Sequence, residues 1–216
     1  MHPQPIAAPV MPPAMDPQAA FPPVCGALAE ALRDDAFYQA VTIDHAGDPA
    51  LRHRVLAHYF VLALDEARAV GEVHLAGDDG AALWLTPEAS ASHRALHSER
   101  RTQALSRLLG PIGFGHYQHI GAAMEAQVPA DLHGAWYLSI LGVRPAAQGQ
   151  GLAQRLLQPT LARADQARAT CYLETFNPLS LPFYRRLGFV RVVECVEPVS
   201  GRPYWLMARG AAQPQP

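Results

Sequence analysis

The chain has 216 residues and a mass of 23.4 kDa, with 50% hydrophobic, 8% aromatic and 17% charged residues, enough for one domain with its own core. Its 17 basic residues are all Arg and face 19 acidic ones, so the formal charge is only −2 and no basic cluster is present to track a nucleic acid. Cys25, Cys171 and Cys195 are odd in number and lack C-x-x-C spacing, which excludes a disulfide framework or zinc knuckle and points to a reducing cytoplasm. No apolar run of about 18 residues and no secretory leader is present, so neither a membrane partner nor export is expected.

Residues 1–23 hold 8 of the 20 prolines and read as a disordered or extended arm; a polyproline ligand is the functional alternative, but Arg-flanked P-x-x-P is missing. Helical spacing of Ala27, Leu28, Ala31 and Leu32 predicts a helix over 24–33. A longer helix is predicted over 49–69, capped by Asp48, with Pro49 at its first position and Gly71 ending it. Two short strands follow, 72–76 and 81–85, joined by a turn at Asp78-Asp79-Gly80. Thr86-Pro87 then reads as a cap and first turn for a polar helix through 92–109. Gly110 to Gly115 breaks it, and a second helix over 116–127 carries Tyr117, Ile120 and Met124 on one face.

The run from Trp136 to Val143 is almost continuously apolar, as in a central strand buried on both faces. A Gly-containing turn, a helix to about 169 and a second apolar strand at 171–175 complete a βαβ unit with parallel strands. A helix over 180–187, stopped by Gly188, leads to a strand over 189–196, with 203–208 as its hairpin partner; residues 210–216 form a flexible tail. The expected architecture is α/β, with one domain spanning 24–209.

The turn after the central strand reads Arg144-Pro145-Ala146-Ala147-Gln148-Gly149-Gln150-Gly151-Leu152-Ala153. Its glycines let the backbone curl so that the N–H groups opening the next helix present about half a positive charge, which binds phosphate without a basic side chain. It matches neither the Walker loop nor G-x-G-x-x-G, and taken alone it reads better as a plain strand-to-helix turn.

Gln148-x-x-Gly151-x-Ala153 after a strand ending Leu-Gly-Val resembles the pyrophosphate loop of the GNAT acyl-CoA N-acyltransferases. Downstream, Leu173-Glu174-Thr175-Phe176-Asn177 and then Phe183-Tyr184-Arg185-Arg186-Leu187-Gly188-Phe189 resemble the same superfamily's fifth strand, following helix and return to the sheet. The likeness covers about 135–209; the elements over 24–132 match the family only in order. It implies a mixed central sheet with helices on both faces and splayed parallel fourth and fifth strands. It departs from the family in having the Pro-rich arm where members begin with an edge strand, and in a long helical insertion over 87–130 that would shape an acceptor pocket.

The resemblance implies acetyl-CoA as cosubstrate, no metal, a small-molecule or peptide amine acceptor, and direct attack in a ternary complex. Leu141 and Val143 would hold pantetheine, Gln148, Gly149, Gln150, Gly151, Leu152 and Ala153 the pyrophosphate, and Asn177 the cofactor arm, although Asn177-Pro178 also reads as a turn pair. An N–H near Leu141 would meet the developing oxyanion. Tyr184 matches the family's general acid, and otherwise reads as a core aromatic. Glu174, a carboxylate on an apolar strand, is the first choice for general base, and otherwise an Arg partner; His133 is the alternative base. Asp34 and Asp35 are placed to attract a cationic amine or stay solvated, Arg185 and Arg186 to reach a phosphate or favour their helix end. His93 with His97, and His116 with His119, are one turn apart, but no third ligand marks a metal site. A catalytically silent acyl-CoA-binding module is the reading from another class, and homodimerisation is left open.

Overall fold

A computed structural model describes residues 19–210. The predicted bodies of the Pro-rich arm and the tail, 1–18 and 211–216, lie outside the described residues. The last residues before the domain are docked on it: Phe21 packs edge-on to His58 at 5.5 Å, and the Arg54 guanidinium lies over the Phe21 ring at 5.9 Å.

The elements are α1 (Pro23–Leu32), α2 (Ala36–Val41), α3 (Pro49–Val70), β1 (Gly71–Leu75), β2 (Gly80–Leu85), α4 (Ala91–Leu108), α5 (Pro111–Gln127), β3 (Trp136–Val143), α6 (Leu152–Gln166), β4 (Cys171–Thr175), α7 (Leu181–Arg186), β5 (Arg191–Val196) and β6 (Pro203–Arg209). They build one six-stranded mixed sheet in the order β1-β2-β3-β4-β6-β5, in which β3 and β4 are parallel. The final hairpin turns back so that β6, not β5, lies against β4. Among the described residues no strand precedes α1, and β1 forms the sheet edge.

The long helix α3 begins as expected, with the Asp48 carboxylate accepting the N–H groups of Ala50 and Leu51 and Pro49 in the first turn. Two boundaries differ from the sequence reading. Helix α4 is capped by Ser90, whose hydroxyl accepts from His93 N–H, whereas Thr86 N–H donates to Val70 O and so closes the base of the hairpin. Helix α5 starts at Pro111, because Gly110 takes the left-handed turn (φ 77°) and Asp44 accepts the Gly113 N–H at 2.6 Å. Gly113 and Gly115 are therefore helical. Short helix α2, capped by Asp35, was not foreseen.

Two cores flank the sheet. Helices α1, α3 and α4 cover one face around Leu28, Phe60 and Leu83; α6 and α7 cover the other around Trp84, Leu157 and Phe189. Strand β3 is not buried on both faces as expected; its first six residues alternate between buried and half-buried, and Tyr137 to Leu141 line a cavity. Gly142 lets α1 approach closely, since a Cβ there would sit 2.7 Å from the Leu28 side-chain end and push it aside. At the opposite edge a polar cluster ties α6 to β1: Thr160 donates to Glu72 at 2.7 Å, and Arg163 bridges Glu72 and Glu88.

Candidate functional site

The site begins with one extra residue. Trp84 pairs with Leu138 and Leu83 with Ile140, so Ser139 has no opposite number on β2 and forms a bulge in β3. Side-chain alternation slips there: Trp136 and Leu138 face the α6 core, then Ile140 faces the α1/α3 core. Backbone direction slips with it. Trp136 N–H donates to Thr170 O, toward β4, but Arg144 N–H donates to Asp79 O, toward β2, although both residues are even-numbered. Alternation back from Arg144 aims the backbone groups of Leu141 and Val143 away from β2.

That side is open. Parallel pairing of β3 with β4 covers only Trp136–Cys171, Tyr137–Tyr172 and Leu138–Leu173, after which Glu174 and Thr175 pair with β6 and β3 runs on without β4. The strands splay, as the sequence resemblance implies. A cavity of about 490 Å³ fills the splay and is walled on its outer side by α2, α3, α4 and α5. The helical segment over 87–130 thus does contribute a wall, through residues such as Arg101, Tyr117 and Met124.

A second cavity of about 280 Å³ lies against the loop after β3, lined by Val143, Gln148, Gly149, Gly151, Leu152 and Ala153 together with Arg186 of α7. Gly149 (φ 78°) and Gly151 (φ 70°) take the left-handed conformation that side chains resist, and nothing lies within 4 Å of where a Gly149 Cβ would stand. Helix α6 opens with no side-chain cap, leaving its first N–H groups for a ligand. The residues thus fit a phosphate-bearing group held by backbone. The Gln148 side chain donates to Val143 O at 2.9 Å and pins the loop to the strand; Gln150 is exposed and outside both cavity linings, its carbonyl accepting from Arg155.

Glu174 and Tyr184 come together in the larger cavity. Burial raises the Glu174 carboxyl from the usual range to about 7, against the pull of a 3.0 Å hydrogen bond from Tyr137 to Oε2; Oε1 is screened from solvent and unpartnered. No Arg pairs with it, so the structural-partner alternative falls to a tyrosine instead. Tyr184 is 8% exposed, between Phe183 and Phe189, and burial with the nearby Asp35 charge raises its pKa well above that of a free phenol. It is a neutral proton donor at ordinary pH.

Other candidates separate. His133 is exposed beyond the start of β3 and lines neither cavity, because the loop turns outward at Gly134 (φ 87°). Asn177 lies outside both linings, and its Oδ1 accepts from Leu179 N–H, the turn geometry weighed against cofactor contact. Asp34 is exposed beside Arg33, whereas Asp35 lines the large cavity and burial raises its carboxyl to about 6. Arg186 lines the loop cavity and Arg185 does not. His93 and His97 lie with ring centroids 4.6 Å apart and planes tilted by 57°, and among the described residues no group of three or more His, Cys, Asp or Glu is placed to hold a metal.

Sequence reasoning missed three residues of the site, Tyr137, Glu66 and Arg101. Tyr137 is part of an apolar run, and its partner lies 37 residues away. Glu66 and Arg101 form a 2.8 Å buried ion pair in the cavity wall, with the guanidinium 5.0 Å over the Tyr59 ring. Glu66 on the apolar face of α3 was the available signal.

Residues 109–191 match the family model of the acetyltransferase (GNAT) domain. That segment is similar to a GNAT acetyltransferase domain. The fold is that of solved acetyltransferase structures: histone acetyltransferase HPA2 and related acetyltransferase from Corynebacterium glutamicum superposes with TM-score 0.59 at 23% identity, covering 92% of this chain and 95% of that one. Arylalkylamine N-acetyltransferase 2 from Aedes aegypti gives 0.53 at 16% identity (88% and 94% covered), and polyamine N-acetyltransferase from Drosophila melanogaster 0.50 at 14% (88% and 97%). The matched segment spans the loop cavity, the splay and both Glu174 and Tyr184, but not α2, α3 and α4 of the outer wall. Among the described residues no helix is long and apolar enough to cross a membrane.

Proposed function

We propose that the protein transfers an acetyl group from acetyl-CoA to a primary amine by direct attack in a ternary complex. The observation that carries this reading is the convergence of Glu174 and Tyr184 on one cavity at the splay, with a backbone-lined loop cavity beside it along the same strand. Acetyl-CoA supplies the activated acyl group as a thioester. Its pyrophosphate fits the segment Gln148 to Ala153, and its pantetheine arm the outward backbone of Leu141 and Val143, an N–H there facing the oxyanion as charge develops. Asn177 contributes by shaping the turn after β4, and Gln150 by its backbone.

The amine arrives as an ammonium of pKa near 10 and must lose a proton to attack; the departing thiolate must gain one. Glu174 accepts the first proton and Tyr184 donates the second. Four carboxylates, Asp35, Glu66, Glu125 and Glu174, line the cavity against the single guanidinium of Arg101, which favours a cationic acceptor. Aromatic rings including Phe37, Tyr59, Tyr117 and Phe176 would cover its apolar body. The Aedes and Drosophila proteins are named for arylalkylamines and polyamines, both amines, which supports this acceptor class. Cys25, Cys171 and Cys195 are buried thiols outside both linings, which supports direct attack.

Incubation with acetyl-CoA and a panel of primary amines, read by mass spectrometry, tests the proposal. It predicts an N-acetylated amine and an intersecting initial-velocity pattern. Tight acetyl-CoA binding without acetylation of any amine would instead favour the silent binding module.

A further inference from the structure

Glu174 offers the cavity no free carboxylate oxygen. Oε2 is engaged by the Tyr137 hydroxyl at 3.0 Å, and Oε1 is screened from solvent with no protein partner. Tyr137 itself is only half-buried and lines the same cavity. Its ring is held by stacking on Tyr172, 4.7 Å between centroids and 24° between planes. It stands on β3 two residues before the Ser139 bulge, where the strands begin to part. A phenolic oxygen that donates its own proton still has lone pairs with which to accept another.

Resting on the N-acetyltransferase reading, we propose that Tyr137 is a catalytic residue that relays the acceptor's proton to Glu174. The ammonium N–H bond breaks as its proton passes to Tyr137 Oη, while the Tyr137 O–H proton passes to Glu174 Oε2. The products are a neutral amine, a neutral Glu174 carboxylic acid and a regenerated phenol, so charge and protons balance and no co-reactant is needed. Burial and the Glu174 charge both keep the Tyr137 phenol protonated, which suits a group that passes a proton on without storing a charge. The titratable groups facing Glu174 are Tyr137 from β3, Tyr172 on its own strand and Tyr204 from β6; Glu125 of α5 acts on Tyr172. Of these, the Tyr137 hydrogen bond lowers the Glu174 pKa.

The test is Tyr137→Phe, which keeps the ring, its stack and its volume. Thiol release from acetyl-CoA is followed with a primary amine acceptor across pH and in mixtures of H2O and D2O. A relay predicts at least a tenfold fall in kcat/KM for the amine with acetyl-CoA affinity unchanged. It also predicts an acid limb displaced to higher pH, and a curved proton inventory in the wild type that becomes linear in the variant. Wild-type activity with an unaltered kcat/KM and an unmoved acid limb in the variant overturns the relay alone. Absence of amine-dependent release in the wild type overturns the acetyltransferase reading, and the relay with it.

Discussion

Two side chains with opposite protonation preferences meet in one cavity. Burial holds the Tyr184 proton far above neutrality, and it brings Glu174 to about 7, where it exchanges protons readily. Tyr184→Phe is expected to lower kcat about 100-fold with acetyl-CoA binding intact, checked by steady-state kinetics and calorimetry. Glu174→Gln affects stability as well. The folded carboxyl binds its proton more tightly than the unfolded one, so its favourable contribution is complete below about pH 4.5 and is lost as pH rises through about 7. By linkage the loss is about 3 kcal/mol, reached above pH 7. The amide variant should therefore melt higher than the wild type at pH 8, with the difference vanishing near pH 4. A variant no more stable at pH 8 would show that Glu174 does not titrate as a buried group.

At the scale of elements, the decisive events are the bulge at Ser139 and the two left-handed glycines of the loop. Gly151→Glu is expected to abolish acetyl-CoA binding by placing negative charge and bulk at the start of α6, while Gly151→Ala, which carries only the φ 70° strain of about 1 kcal/mol, should retain it. Titration calorimetry with both variants, beside their melting curves, checks this; equal binding by Gly151→Glu would remove the loop from the phosphate site. Much of this level was legible in the sequence. The span of β3, the βαβ unit and the loop follow from an apolar run, glycine spacing and motif. The slip within β3 was not, because a continuously apolar strand carries no alternation from which a bulge can be read. Helix starts at Ser90 and Pro111 were misplaced for a related reason: several residues nearby have capping chemistry, and tertiary contacts such as Val70 O and Asp44 choose among them.

Across the molecule, the outer wall of the cavity comes from α2, α3 and α4, which precede the family-like segment 109–191, and from α5 within it. Arg101 of α4 and Glu66 of α3 join there, their side chains 13% and 8% exposed. Their pairing is invisible along the chain because it depends on how α4 packs over α3. Arg101→Met should leave the Glu66 carboxylate buried without its partner and destabilise the protein by about 3–5 kcal/mol, and Arg101→Met with Glu66→Met should recover most of that loss. Chemical denaturation of the single and double variants checks this, and a single variant as stable as the wild type would contradict it. Asp35, Tyr137 and Glu174 reach the cavity from α2, β3 and β4, so the fold assembles the acidic pocket that composition alone did not show.

The most direct test of the whole account is the initial rate of free-thiol release from acetyl-CoA with a primary amine, measured against pH for the wild type and Glu174→Gln. The account predicts amine-dependent release that rises through about pH 7 in the wild type and loses that limb in the variant. No amine-dependent release at any pH, from a protein that still binds acetyl-CoA, would contradict it.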